Sequence, residues 1–137
     1  MPKFEDIQVG DSASLEKAIQ KEDIEVFARL TGDNNPLHMD ENFVSKTKFE
    51  NRIAHGMLVS SFISTLIGMD LPGEGSVITN INLDFRKPVF IGDTLSASVE
   101  VTKKIHVTKQ VFLKIVINNQ ESNVVVRGTA KSVCPER

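Results

Sequence analysis

The chain has 137 residues, 40% hydrophobic and 25% charged, which suits one domain with one core and excludes disordered, collagen-like and fibrous architectures. Its 16 Lys and Arg against 18 Asp and Glu leave a net charge of −2, without the basic excess of a domain that binds nucleic acid by neutralising phosphates. A lone cysteine, Cys134, closes no intramolecular disulfide, so the expected compartment is the cytosol. The opening MPKFEDIQVGDS lacks the apolar run of a secretory signal. The longest stretch without formal charge, between Arg52 and Asp70, is shorter than the roughly 20 apolar residues of a membrane span, so no membrane partner is expected.

Ala13, Leu15 and Ile19 share one parity across 13–19, with Ser14 and Glu16 on the other, a weak strand pattern that Lys17 interrupts. From Glu22 the period changes. Ile24, Phe27, Ala28 and Thr31 fall at i, i+3, i+4 and i+7 of a helix, and Gly32 supplies its C-terminal stop. Residues 33–52 are dense in Asn, Asp, Pro, Lys and Glu, a polar connection long enough to carry function. One short helix is expected there over Asp40 to Val44, with Asp40 as cap and Phe43 and Val44 packing back. After Gly56, the run MLVSSFISTLIGM spreads Met57, Leu58, Phe62, Leu66 and Met69 over much of a helix circumference, the pattern of an enveloped central helix. Pro72, Gly73 and Gly75 break it.

Strand patterns fill the second half. Val77, Thr79, Ile81, Leu83 and Phe85 alternate with Asn80, Asn82, Asp84 and Arg86, and Leu95, Ala97, Val99 and Val101 alternate with Ser96, Ser98, Glu100 and Thr102. Val111, Leu113, Ile115 and Ile117, then Val124, Val126, Gly128 and Ala130, continue them, with turns at Ile91-Gly92-Asp93 and Asn118-Asn119. These elements predict a single α+β domain over 1–137, a curved antiparallel sheet wrapped around a central helix, an arrangement that resembles the hot-dog fold. A helix apolar on most sides needs cover beyond one sheet, so a homodimer is expected.

The stretch Phe27-Ala28-Arg29-Leu30-Thr31-Gly32-Asp33-Asn34-Asn35-Pro36-Leu37-His38 sets a carboxylate, a carboxamide and an imidazole within six residues, after a helix stop and braced by proline. A constrained Asn-Pro turn can face Asp33 and His38 onto one small volume, as general acid–base chemistry on a water requires. Gly-Asp-x-Asn-Pro is also an ordinary turn sequence, so the histidine and the wider pattern carry the weight. Here the chain resembles the MaoC-like family, which includes the (R)-specific enoyl-CoA hydratases. Phe27, Leu30, Thr31, Gly32, Asp33, Asn35, Pro36, Leu37 and His38 match its hydratase motif, and Arg52-Ile53-Ala54-His55-Gly56-Met57-Leu58 matches a second block. The likeness runs on through Leu71 to Ser76 and Phe85 to Asp93. Six residues after the motif histidine the family has Ala or Ser where this chain has Val44, a change in packing behind the loop.

The resemblance implies an Asp33–His38 dyad that holds and activates water, Asn35 helping to position it, the Gly56 N–H as donor to the thioester oxygen, and Ser64 supporting the dyad. The reaction it implies is reversible addition of water to a trans-2-enoyl thioester, giving the (R)-3-hydroxyacyl product. Coenzyme A or phosphopantetheine is then the substrate carrier, with no metal or redox cofactor. Arg86 and Lys87 are the candidates for coenzyme A phosphates, while Lys103, Lys104 and Lys109 read as a solvated strand end. Asp33, His38, Asp40 and His55 are competent metal ligands without the spacing of a metal motif. His55 reads as packing or capping at the helix start, and Ser60, Ser61 and Ser64 lie in no nucleophile-elbow sequence. A dehydratase acting on acyl carrier protein thioesters, a hot-dog thioesterase and a non-catalytic acyl-CoA-binding subunit are the competing functions.

Overall fold

Alternation of apolar and polar residues becomes one five-stranded antiparallel sheet in the computed structural model, which describes residues 4–134. Its strands are β1 (Ser12–Ala18), β2 (Val77–Phe85), β3 (Thr94–Ile105), β4 (Gln110–Asn118) and β5 (Val124–Val133), in the spatial order β1-β3-β4-β5-β2. Four helices, α1 (Lys21–Thr31), α2 (Pro36–Met39), α3 (Glu41–Ser45) and α4 (Gly56–Thr65), lie between β1 and β2. No helix among the described residues is long and apolar enough to cross a membrane.

One face of β3 and β4 forms the heart of the core, with Leu95, Ala97, Val99 and Val101 facing inward beside Val111, Leu113, Ile115 and Ile117, all buried. Burying each larger side chain contributes about 1.5–3 kcal/mol. A slip of one residue would turn that whole row outward, so burial fixes the register that pairs Val99 with Ile115 and Val101 with Leu113. The turn between β4 and β5 runs over 119–123, longer than the expected Asn118-Asn119, because the Asn119 side-chain oxygen accepts from the backbone N–H groups of Glu121 and Asn123 at 3.0 and 3.1 Å.

Helix α4 lies on β3, and Leu58, Val59, Ile63, Leu66 and Ile67 from it and the following π-helical turn (Leu66–Asp70) enter the core. Within the chain, however, the helix is covered on one side only. Met57 and Met69 are 64% and 62% exposed and Ser61, Ser64 and Thr65 lie open, because the five strands do not close around it. The edge strand β2 also leaves Val77, Ile81 and Phe85 exposed.

The polar stretch 33–52 is more ordered than its composition suggests. Helix α3 forms as expected, the Asp40 carboxylate accepting from the Phe43 N–H at 3.0 Å. Val44 is fully buried while Phe43 is half exposed, so only one of the two expected apolar anchors packs back. Helix α2 is an element that the sequence reading passes over: one turn, started by Pro36, whose fixed φ suits a first helical position.

Candidate active site

The site grows from the C-terminus of α1. Gly32 ends that helix in the left-handed region at φ 80°, its N–H bonded to the Ala28 carbonyl, a conformation in which other residues are strained. Thr31, expected on the buried face, is exposed. Its hydroxyl donates to the Phe27 carbonyl at 2.7 Å and accepts from the Asp33 N–H at 3.2 Å, tying the loop to the helix. Asp33 in turn accepts from the Asn35 N–H at 3.3 Å, and the Asn35 side-chain oxygen accepts from the Leu37 N–H at 3.0 Å, capping α2. Asn35 therefore acts on the helix that carries His38, with its oxygen turned to the backbone.

His38 is oriented by a carbonyl. Its Nδ1 lies 2.7 Å from the Ile53 oxygen, and since a carbonyl only accepts, Nδ1 carries the proton and Nε2 keeps a free lone pair. His55, at the N-cap position of α4, makes no cap bond through its side chain. It is 2% exposed, donates from Nε2 to the Asp33 carbonyl at 3.0 Å, and packs its ring against His38 at 4.0 Å and Phe27 at 4.7 Å between centroids. Burial holds its pKa below the usual 6.5, a shift that the Asp33 carbonyl opposes and the neighbouring His38 reinforces. Of the packing and capping roles expected for His55, the structure shows packing alone.

A carboxylate oxygen of Asp33 and a ring nitrogen each of His38 and His55 lie within 4.8 Å of one another. Such a set is chemically competent to ligate a metal. Its two imidazoles stack with 32° between their planes, and each has one ring nitrogen bonded to a carbonyl, which leaves the other nitrogen of each ring for chemistry.

His38 and Gly56 line one cleft of about 420 Å³, together with Lys48, Phe49, Phe85, Arg86, Lys87 and Val89 among others. Gly56 is the first residue of α4, where an N–H has no acceptor within the helix and the helix dipole favours negative charge. A Cβ at this position would lie 2.8 Å from the Phe85 ring, so a larger residue here would have to displace that ring. Arg86 and Lys87, the candidates for coenzyme A phosphates, also line this cleft. Lys48 joins them without any signal in the sequence, since only the folding of the 33–52 loop brings it there.

Ser64 is not brought to the dyad of its own chain. It is exposed, and eight residues of helix set it about 12 Å along α4 from Gly56. The serines nearer the helix start spend their hydroxyls on helix carbonyls, Ser60 on Gly56 at 2.9 Å and Ser61 on Leu58 at 2.6 Å. Lys104 lies over the Phe4 ring and Lys109 pairs with Glu5 at 3.1 Å, structural contacts away from the cleft.

Comparison with known proteins adds to this geometry. The chain is 44% identical over 134 residues to an (R)-specific enoyl-CoA hydratase of Rhodospirillum rubrum, covering 98% of this chain and 92% of that one. The solved (R)-hydratase from A. caviae involved in PHA biosynthesis superposes with a TM-score of 0.91 at 40% identity, over 94% of this chain and 98% of that one. An R-hydratase of Pseudomonas aeruginosa in its unliganded form gives 0.93 at 36% identity, over 98% and 86%. These neighbours share the α+β hot-dog architecture described above. The family model of the MaoC like domain matches residues 6–125, a span that includes the 33–38 loop and the start of α4, and the chain belongs to that family.

Proposed function

We propose that this protein is an (R)-specific enoyl-CoA hydratase, a hydro-lyase that adds water reversibly to trans-2-enoyl-CoA. The observation that carries the reading is the convergence of Asp33 and His38, on a loop fixed by its own hydrogen bonds, beside a cleft that also exposes the first residue of α4. Donors and acceptors up to 4.8 Å apart are bridged by one water making two bonds of roughly 2.8 Å.

In this reading the water sits between the Asp33 carboxylate and His38 Nε2. As its oxygen attacks C3, the imidazole takes one proton, and the Ile53 carbonyl on Nδ1–H supports the imidazolium that forms. The same Nε2–H then returns a proton to C2, so one water supplies both the hydroxyl and the hydrogen. Dehydration is the reverse. Negative charge that builds on the thioester oxygen meets the Gly56 N–H, a type of donor whose loss typically costs about 2.7–4 kcal/mol. Lys48, Arg86 and Lys87 set positive charge at the cleft for the phosphates of the carrier. The scheme uses no metal or redox cofactor, and the chain works as one domain over 1–137. A cytosolic location fits its single buried free thiol, and a homodimer fits the open faces of α4 and β2.

The cationic lining also favours a second carrier, since phosphopantetheine on an acidic acyl carrier protein presents the same chemistry. Loss of enoyl absorbance is therefore followed on both carriers, with a thiol trap, for wild type, Asp33→Asn and His38→Ala. The expected result is hydration without thiol release, faster on the coenzyme A substrate, and reduced about 10²–10⁴-fold in each variant. Full activity in both variants would remove the dyad, free thiol would make the protein a thioesterase, and preference for the carrier protein would move it to the dehydratases of fatty acid synthesis.

A further inference from the structure

Arg52 is a buried cation without a carboxylate. It is only 6% exposed, and among the described residues no ion pair joins it to an acidic side chain. Buried charges ordinarily persist because a partner compensates their desolvation. The partners of this guanidinium are instead the His38 carbonyl, to which Nε donates, and the Met39 sulfur, 3.9 Å from Nη2. Both belong to the end of α2, where a helix leaves its last carbonyls without intrahelical donors. A cation there is also favoured by the helix dipole, which is small for a single turn.

The next residue completes the hold. The Ile53 N–H donates to the Leu37 carbonyl at 3.2 Å, and the Ile53 carbonyl accepts from His38 Nδ1 at 2.7 Å. Residues 53 and 54 are themselves anchored to the connection between β2 and β3, through the Ile53–Phe90 bridge and the bond from the Ala54 N–H to the Val89 carbonyl at 2.7 Å. The histidine is thus gripped by its backbone and by its ring, and both grips lead to the sheet.

We propose that Arg52 is a positioning residue for the hydration step: it fixes the backbone of His38 so that Nδ1 meets the Ile53 carbonyl and Nε2 faces the cleft. This rests on the hydratase reading for its kinetic consequence, but not for its structural one. Arg52 lines a separate polar cavity of about 570 Å³ with Glu41, Glu50 and Lys21, and is absent from the lining of the His38 cleft. It therefore acts on turnover through His38 and not by holding substrate.

The test uses Arg52→Met and Arg52→Lys, each checked for a wild-type circular dichroism spectrum, with two readouts. In kinetics, kcat of Arg52→Met is expected to fall at least 10-fold with KM within about twofold, and Arg52→Lys, which keeps a donor, to recover part of it. In ¹H–¹⁵N spectra of the imidazoles, His38 is expected to show one Nδ1–H tautomer in wild type and a mixture in Arg52→Met. If Arg52→Met does not fold, Arg52→Lys carries both readouts, with a smaller loss in kcat and a detectable shift of the His38 signals. A wild-type tautomer pattern in the folded variant overturns the proposal, as does a rise in KM at unchanged kcat. Should His38→Ala retain full hydration, the catalytic role of His38 fails, while the tautomer pattern in Arg52→Met still decides whether Arg52 holds His38.

Discussion

His55 sits where a proton is unwelcome. Its Nε2 is committed as a donor to the Asp33 carbonyl, its Nδ1 is buried without a partner, and its ring is stacked on a second imidazole. Burial holds its folded pKa below 6.5, whereas the unfolded chain takes the proton at the ordinary value. Below that ordinary value the unfolded state binds more protons than the folded one, so stability present above it is lost as pH falls. The urea midpoint of the wild type is expected to drop between about pH 7.5 and about pH 5.5. In His55→Gln, which retains a donor for the Asp33 carbonyl, the midpoint starts lower but changes less over the same interval. Equal pH slopes in the two proteins would show that His55 is not the group responsible.

At the scale of elements, α2 is a single turn and depends on its ends. Asn35 caps its start and Arg52 satisfies its finish, so a loss at either end reaches His38. Removing a side-chain cap typically costs about 1 kcal/mol, and Asn35→Ala is expected to lose about that much in stability, with a lower kcat. Asn35→Ser, whose hydroxyl also caps, is expected to keep most of both. If Asn35→Ser loses activity as fully as Asn35→Ala at normal stability, the amide itself contacts the water. The same element shows how far sequence reading reaches. Period 2 in β3 and β4 and period 3.6 in α1 are local signals, and they were legible to within one to three residues. Asp33, His38 and Gly56 were legible as a motif, and Arg86 and Lys87 line the same cleft as His38 and Gly56. The placement of Lys48 and the grip of Arg52 depend on contacts across the folded 33–52 loop, which no periodicity encodes, while α2 and the hydroxyl bridge of Thr31 are local but too short to show a period.

For the whole molecule, the open question of cover lies on one side. Met57, Ser61, Ser64 and Thr65 follow one another along the exposed face of α4 and Met69 continues it in the π-helical turn, and the edge strand β2 presents Val77, Ile81 and Phe85. An edge strand carries unpaired backbone donors and acceptors, and an apolar edge left in water invites pairing with another chain. A second copy of the same edge satisfies both needs under twofold symmetry, since each strand then offers the other an identical surface. The cleft is close to that edge, because Phe85 and Arg86 line it, so assembly and activity are expected to fall together. In sedimentation velocity the wild type is expected to run as a dimer, whereas Ile81→Lys, a charge on a residue 40% exposed in the single chain, runs as a folded monomer with reduced hydration. A monomeric wild type would sink the homodimer, and a dimeric Ile81→Lys with normal activity would place the interface on a face other than β2.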